Sequence, residues 1–160
     1  MRARLPVNLL PRLASAPVHA MPVGLRNAAL GAVLNRRFRS ETASGELDFL
    51  LGKAVGIEVV DAAVKFRVWL DGRRLRVAAG SAGCAFTISG SLAAFLSLAS
   101  RREDPDTLFF QRRLGMRGDT QTALALKNFL DAVEVDDSPA HRHLDRLLHS
   151  IATWYARAAA

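Results

Sequence analysis

The chain has 160 residues, half of them hydrophobic and 23% charged, with a net charge of +7 and a single cysteine, Cys84. This is enough apolar material for one compact domain with modest extensions, which excludes disorder throughout, and one thiol excludes an internal disulfide or a multi-thiolate metal site. The longest apolar stretches, such as Leu92 to Leu96, stop well short of the roughly 18 residues that cross a bilayer, so the expectation is a chain that is soluble or rests on a membrane surface, and with nothing in a lone cysteine calling for an oxidising compartment the cytoplasm is the default.

The charge is unevenly placed. Arg2, Arg4, Arg12, Arg26, Arg36, Arg37 and Arg39 all precede the first acidic residue, Glu41, and the other fifteen basic residues balance fifteen acidic ones. Residues 1–40 therefore read as a basic arm, attracted to anionic headgroups or nucleic acid, ahead of an electrically balanced domain. Pro6, Pro11, Pro17 and Pro22 break its start and argue against a secretory signal, although an Arg-rich, acid-poor opening mimics a mitochondrial presequence. From Leu25 to Phe38, Leu30, Val33, Leu34 and Phe38 recur at helical spacing, which predicts a basic amphipathic helix. Arg26, Arg36, Arg37 and Arg39 are its candidate contacts to anionic lipid.

After a short apolar piece from Leu47 to Leu51, the period changes to two. Ile57 and Val59 flank Glu58, and Val64, Phe66, Val68 and Leu70 alternate with Lys65, Arg67 and Trp69, the pattern of half-buried strands. Asp71-Gly72 predicts a tight hairpin, so the strand with Leu75 and Val77 returns antiparallel in a meander. Gly80, Ser81 and Gly83 mark a loop before a fourth strand through Phe86 and Ile88. Ser91 caps a helix with Leu92, Phe95, Leu96 and Ala99 on one side. Asp104 or Asp106, with Pro105, starts a short helix carrying Leu108, Phe109 and Phe110, and Leu114 and Met116 fit a fifth strand. Asp119 or Thr120 caps a helix with Leu126, Phe129, Leu130 and Val133 on one face. Ser138-Pro139 opens a last helix striped by Leu144, Leu147, Leu148, Ile151 and Tyr155, with Trp154 close by. The fold class is α+β: a mainly antiparallel five-stranded sheet covered by helices, in a domain spanning 41–137, with a C-terminal amphipathic helix in 138–160.

Signals for chemistry are weak. Neither Gly80-Ser81-Ala82-Gly83 nor Gly90-Ser91 matches a nucleophile elbow, and Cys84 beside strand-like Phe86 reads as a small core residue. His141, Asp145 and His149 share a helix side, but the first and third are about 12 Å apart by helical rise, too far to share one ion without His143 or another chain. The glycines at 80, 83, 90, 115 and 118 are spaced as turns, not as a phosphate loop. Phe66, Phe86 and Phe95 point inward rather than forming a stacking platform, which leaves nucleic-acid binding a minor alternative. Catalytic and metal residues are therefore expected to be absent.

The run Asp104-Pro105-Asp106-Thr107-Leu108-Phe109-Phe110-Gln111-Arg112-Arg113-Leu114, followed by Gly118-Asp119-Thr120 and Lys127-Asn128-Phe129-Leu130-Asp131-Ala132, resembles the signature of the UbiT-type accessory factors within the sterol carrier protein family. The resemblance covers roughly residues 40 to 135. It implies a hydrophobic tunnel between sheet and helices that holds phospholipids or prenylated quinone intermediates. It implies no catalysis and no cofactor, and it favours a bacterial cytoplasmic setting over the presequence. Its implied partners are the anionic inner-membrane surface and separate iron-sulfur proteins of the peptidase U32 type in oxygen-independent ubiquinone biosynthesis. A homo-oligomer is compatible with it, as is a tunnel-free scaffold that recruits enzymes. The candidate lining residues are Phe66, Val68, Phe86, Ile88, Leu92, Phe95, Leu96, Phe109, Leu126, Phe129 and Leu130. Arg112 and Arg113 are candidates for lipid phosphate, with pairing to Asp104, Asp106 or Asp119 as the simpler expectation.

Overall fold

The computed structural model describes residues 20–100, 102–133 and 139–158. The proline-broken start of the arm, Arg101 and the Ser138 cap lie outside these residues. Helix α1 (Val23–Arg37) and the short α2 (Arg39–Ser44) lead through a 3-10 turn, Asp48–Leu50, into strands β1 (Ala54–Val59), β2 (Val64–Asp71), β3 (Arg74–Ala79) and β4 (Phe86–Gly90). Helices α3 (Leu92–Ala99) and α4 (Pro105–Phe110), strand β5 (Leu114–Gly118), and helices α5 (Thr120–Ala132) and α6 (Pro139–Ala158) complete the order.

The sheet order is β3-β2-β1-β4-β5. The first three strands form the expected meander, and Gly72 takes a φ of 59° at the hairpin tip, a value glycine adopts without steric cost. The fourth strand does not join that meander. It crosses to the far side of β1 and pairs with it in parallel, while β5 closes the order antiparallel to β4. The crossover loop passes over the outer sheet face at Gly56, where a Cβ would stand 2.7 Å from the Thr87 hydroxyl and 3.1 Å from the Ser81 Cβ.

Alternation decides which sheet face is covered. Val64, Phe66, Val68 and Leu70 are buried, whereas Lys65, Arg67 and Asp71 are exposed. The buried set packs with Val55, Val59, Leu75, Phe86, Ile88 and Leu114 beneath the helices. Leu47 and Leu50, from the short apolar piece after Gly45, close one end of this core.

Caps set the helix starts. Ser91 accepts from the Ala94 amide at 3.2 Å, and Asp61, in the β1–β2 turn, accepts from the Leu92 amide at 2.8 Å, which ties α3 to the sheet. Asp104 accepts from the Thr107 amide at 2.8 Å with Pro105 opening α4, and Asp119 accepts from the Gln121 and Thr122 amides at the head of α5. Helix α1 lies against β3, close enough that a Cβ on Gly31 would stand 3.6 Å from Val77. Its Asn35 side chain donates to the Leu75 carbonyl at 2.7 Å and accepts from the Leu75 amide at 2.9 Å. One side-chain amide thus occupies both backbone groups of a residue on an edge strand, which blunts that edge against pairing with another chain.

Candidate lipid-binding site

Of the eleven expected lining residues, all but Leu96 converge on the layer between sheet and helices. Phe66, Val68, Phe86, Ile88 and Phe129 are buried; Leu92, Phe95, Leu96, Phe109, Leu126 and Leu130 are half-buried. Ten of them, all but Leu96, belong to the two apolar clusters, which share Ile57, Val77 and Phe95 and so form a continuous apolar layer. Phe129 is gripped by two rings, edge-on to Phe38 at 5.3 Å between centroids and tilted against Phe49 at 6.1 Å.

Two cavities lie at the margins of this layer. One, about 230 Å³, sits between the start of α1 and the β2 and β3 strands, lined by Val23, Arg26, Asn27, Lys65, Phe66 and Gly80 among others. The other, about 350 Å³, lies between α3, α6 and the segment before α4, lined by Ala93, Ser97, Arg102, Glu103, Arg113 and Ala152. The second is at the lower end of the roughly 300–1,000 Å³ typical of small-molecule pockets. Phe66 is the one expected lining residue that borders either cavity. The other nine within the clusters pack side chain to side chain.

The charged residues are placed less simply than their spacing suggested. Arg36 and Arg39 are exposed, and Arg26 is half-buried at the first cavity. Arg37 is only 7% exposed, on the side of α1 turned inward, so it does not present a guanidinium to a membrane as the spacing implied. Arg113 pairs with Glu103 rather than with Asp104, Asp106 or Asp119, because Asp106 is taken by Lys127 at 2.7 Å and Asp119 by Lys53 at 3.5 Å. Arg112 has a φ of 58°, a left-handed conformation that glycine normally fills.

Glu58 was not among the expected functional residues. It is the buried carboxylate of the outer sheet face, accepting from the Ser81 hydroxyl at 2.7 Å and Arg117 at 2.9 Å, with Lys65 at 3.3 Å. The Ser81 hydrogen bond, helped by Lys65 and Arg117 against the cost of burial, holds its carboxyl below the ordinary value. Its surroundings make it a staple for the β3–β4 crossover. Burial pushes the Cys84 thiol up, away from nucleophilic thiolate. His149 and His143 are exposed on α6, and the side chains of His141 and Asp145 lie outside the described residues. Among the described residues no cluster of three metal-binding side chains occurs, and no helix is long and apolar enough to cross a membrane.

Several large apolar side chains remain on the surface: Phe110 at 91% exposure, Leu124, Met116, and Leu147, Ile151 and Trp154 along α6. The α6 stripe thus divides. Leu148 and Ala152 are buried beside α3, whereas Leu147, Ile151 and Trp154 face away; Leu144 and Tyr155 lie outside the described side chains.

Residues 31–131 match the model of the SCP-2 sterol transfer family. Over 139 residues, 87% of this chain and 79% of the relative, the sequence is 38% identical to the "Ubiquinone biosynthesis accessory factor UbiT" of three Escherichia coli strains. The solved structure of a "UbiJ-SCP2 Ubiquinone synthesis protein" superposes with a TM-score of 0.56 at 22% identity, covering 69% of this chain and 97% of that one, which shows a shared fold. Together with the five-stranded sheet, its helical cover and the apolar layer between them, these matches show that the chain belongs to the SCP-2 sterol transfer family, as one of its UbiT-type members.

Proposed function

We propose that this chain is a non-catalytic accessory factor of ubiquinone biosynthesis that holds prenylated quinone intermediates or phospholipid between its sheet and its helices. The likeness to the UbiT proteins, extending over 87% of the chain, carries this reading. The apolar layer supports it chemically. An isoprenoid tail exposes several hundred Å² of hydrocarbon, and at about 25 cal/mol per Å² its shelter from water is a strong driving force. In the finer version of the proposal the protein works without oxygen, peripheral to the bacterial inner membrane, and presents substrate to iron-sulfur proteins of the peptidase U32 type.

The close packing of the expected lining residues favours a second reading, a scaffold that recruits enzymes without carrying lipid. Lipid mass spectrometry on protein isolated without detergent, from cells making ubiquinone, separates the two. Carriage predicts prenylated precursors or phospholipid in stoichiometric amounts. Protein that emerges free of extractable lipid, and takes up none when incubated with a prenylated quinone, would leave the scaffold standing and overturn carriage.

A further inference from the structure

Helix α6 lies outside the 31–131 family match and is amphipathic in an unusual way. Leu148 and Ala152 are one turn apart and buried, which seats the helix beside α3. Leu147, Ile151 and Trp154 fall at i, i+4 and i+7, forming a second strip on the adjacent side that is 58%, 41% and 58% exposed. The apolar sector is therefore wider than the contact it makes.

The strip has a basic border. His143 lies one turn before Leu147, Arg146 one and two turns before Ser150 and Trp154, and Arg157 one turn after Trp154; His143, Arg146, Ser150 and Arg157 are all exposed. From residue 139 to 158 the only acidic residue is Asp145, against Arg142, Arg146 and Arg157. Helix α1, which touches α6, contains no acidic residue and exposes Arg36. One flank of the molecule thus combines aliphatic and indole side chains with a cationic rim.

We propose that α6 is a membrane-docking helix, its Leu147–Ile151–Trp154 strip entering the headgroup and acyl boundary of an anionic phospholipid bilayer while Arg146 and Arg157 engage lipid phosphates. This rests on the lipid-accessory reading above and assigns its membrane surface to a particular element. The occupant follows from chemistry. An amphipathic helix with a cationic polar side and Trp at its edge suits the bilayer interface, where indole rings settle at headgroup depth. A two-fold pairing of the strip with a second copy would instead bring arginine borders of like sign together. The buried Leu148 and Ala152 hold α6 to the domain while it docks, so the strip, α3 and the cavity bordered by Ala93, Ser97 and Ala152 meet the surface together.

The test uses the full chain with vesicles of phosphatidylcholine, with or without phosphatidylglycerol. The chain has two tryptophans, so W69F leaves Trp154 as the reporter. Its emission should shift to the blue with anionic vesicles and far less with neutral ones. L147S/I151S should weaken co-sedimentation on the order of tenfold or more. R146E and R157E should each weaken it roughly fivefold, an effect that high salt erases. All four positions are solvent-exposed, so an unchanged melting temperature accompanies these losses. Vesicle binding by the parent that L147S/I151S leaves intact overturns the α6 assignment while the lipid-accessory reading stands. So does conversion of a dimer to a monomer by that variant without loss of vesicle binding. A parent that ignores anionic vesicles but copurifies with lipid overturns docking alone.

Discussion

Two single residues decide how the sheet is finished, and neither is conspicuous in the sequence. Asn35 looks like a polar residue beside a helical stripe, yet its amide takes both backbone groups of Leu75. Glu58 looks like the outward member of an alternating strand, and it is outward, but the crossover loop lies over it and supplies the Ser81 hydroxyl. Period-two alternation identifies a face and cannot foresee a distant loop covering it. Because its folded-state carboxyl titrates below the ordinary value of 4.5, Glu58 contributes stability that is complete above that value and is lost as pH falls through the lowered one. In chemical denaturation at neutral pH, E58Q should cost about 1.5–3 kcal/mol, the scale of hydrogen bonds to a charged group. The gap between E58Q and the parent should close in strongly acidic buffer. A gap that stays constant from neutral to acidic pH would show that Glu58 is not a titrating staple.

At the scale of elements, the strands were the most legible, because Val64, Phe66, Val68 and Leu70 alternate without a slip and Gly72 marks the hairpin. The placement of β4 beside β1 was not legible, since strand order depends on where a loop crosses and not on the pattern within either strand. The α6 stripe was legible as a sector but not in its division, because periodicity shows which side is apolar and not how much of it a neighbour covers. Helix α4 carries a device that spacing conceals. Its end is closed by hydrogen bonds from the Arg113 amide to the Leu108 carbonyl and from the Arg112 amide to the Phe109 carbonyl, each 3.0 Å, with Arg112 left-handed in the place where glycine is usual. Left-handed backbone costs an L-residue about 1–2 kcal/mol, partly offset by the entropy glycine loses on folding. R112G should therefore raise stability by about 0.5–1 kcal/mol, seen as a higher melting temperature. A lower melting temperature would mean that the Arg112 side chain makes a stabilising contact outweighing its backbone strain.

For the whole molecule the question is how a closed interior admits a lipid, and the hydrogen-bond ladders indicate which layer yields. The sheet is continuous from β3 to β5, with every neighbouring pair in a regular hydrogen-bonded register. The helical layer rests on it through side-chain packing, some of it fully buried (Ala94 on α3, Leu108 on α4, Phe129 on α5) and the rest half-buried (Leu92 and Phe95, Phe109, Leu126 and Leu130), so lifting a helix breaks no ladder hydrogen bond whereas parting strands does. A tail sliding beneath α3 and α5 would replace those partial contacts with complete ones, while the ladder of β1 and β2 would be unchanged. Carriage therefore predicts that saturating a lipid-free preparation with a short-chain prenylated quinone slows amide hydrogen exchange in residues 92–99 and 120–132 severalfold and leaves residues 54–59 and 64–71 as they were. Slowing spread evenly over sheet and helices would indicate general stabilisation by surface binding. No slowing at all, with the quinone demonstrably in excess, would mean that this apolar layer is a core and nothing more.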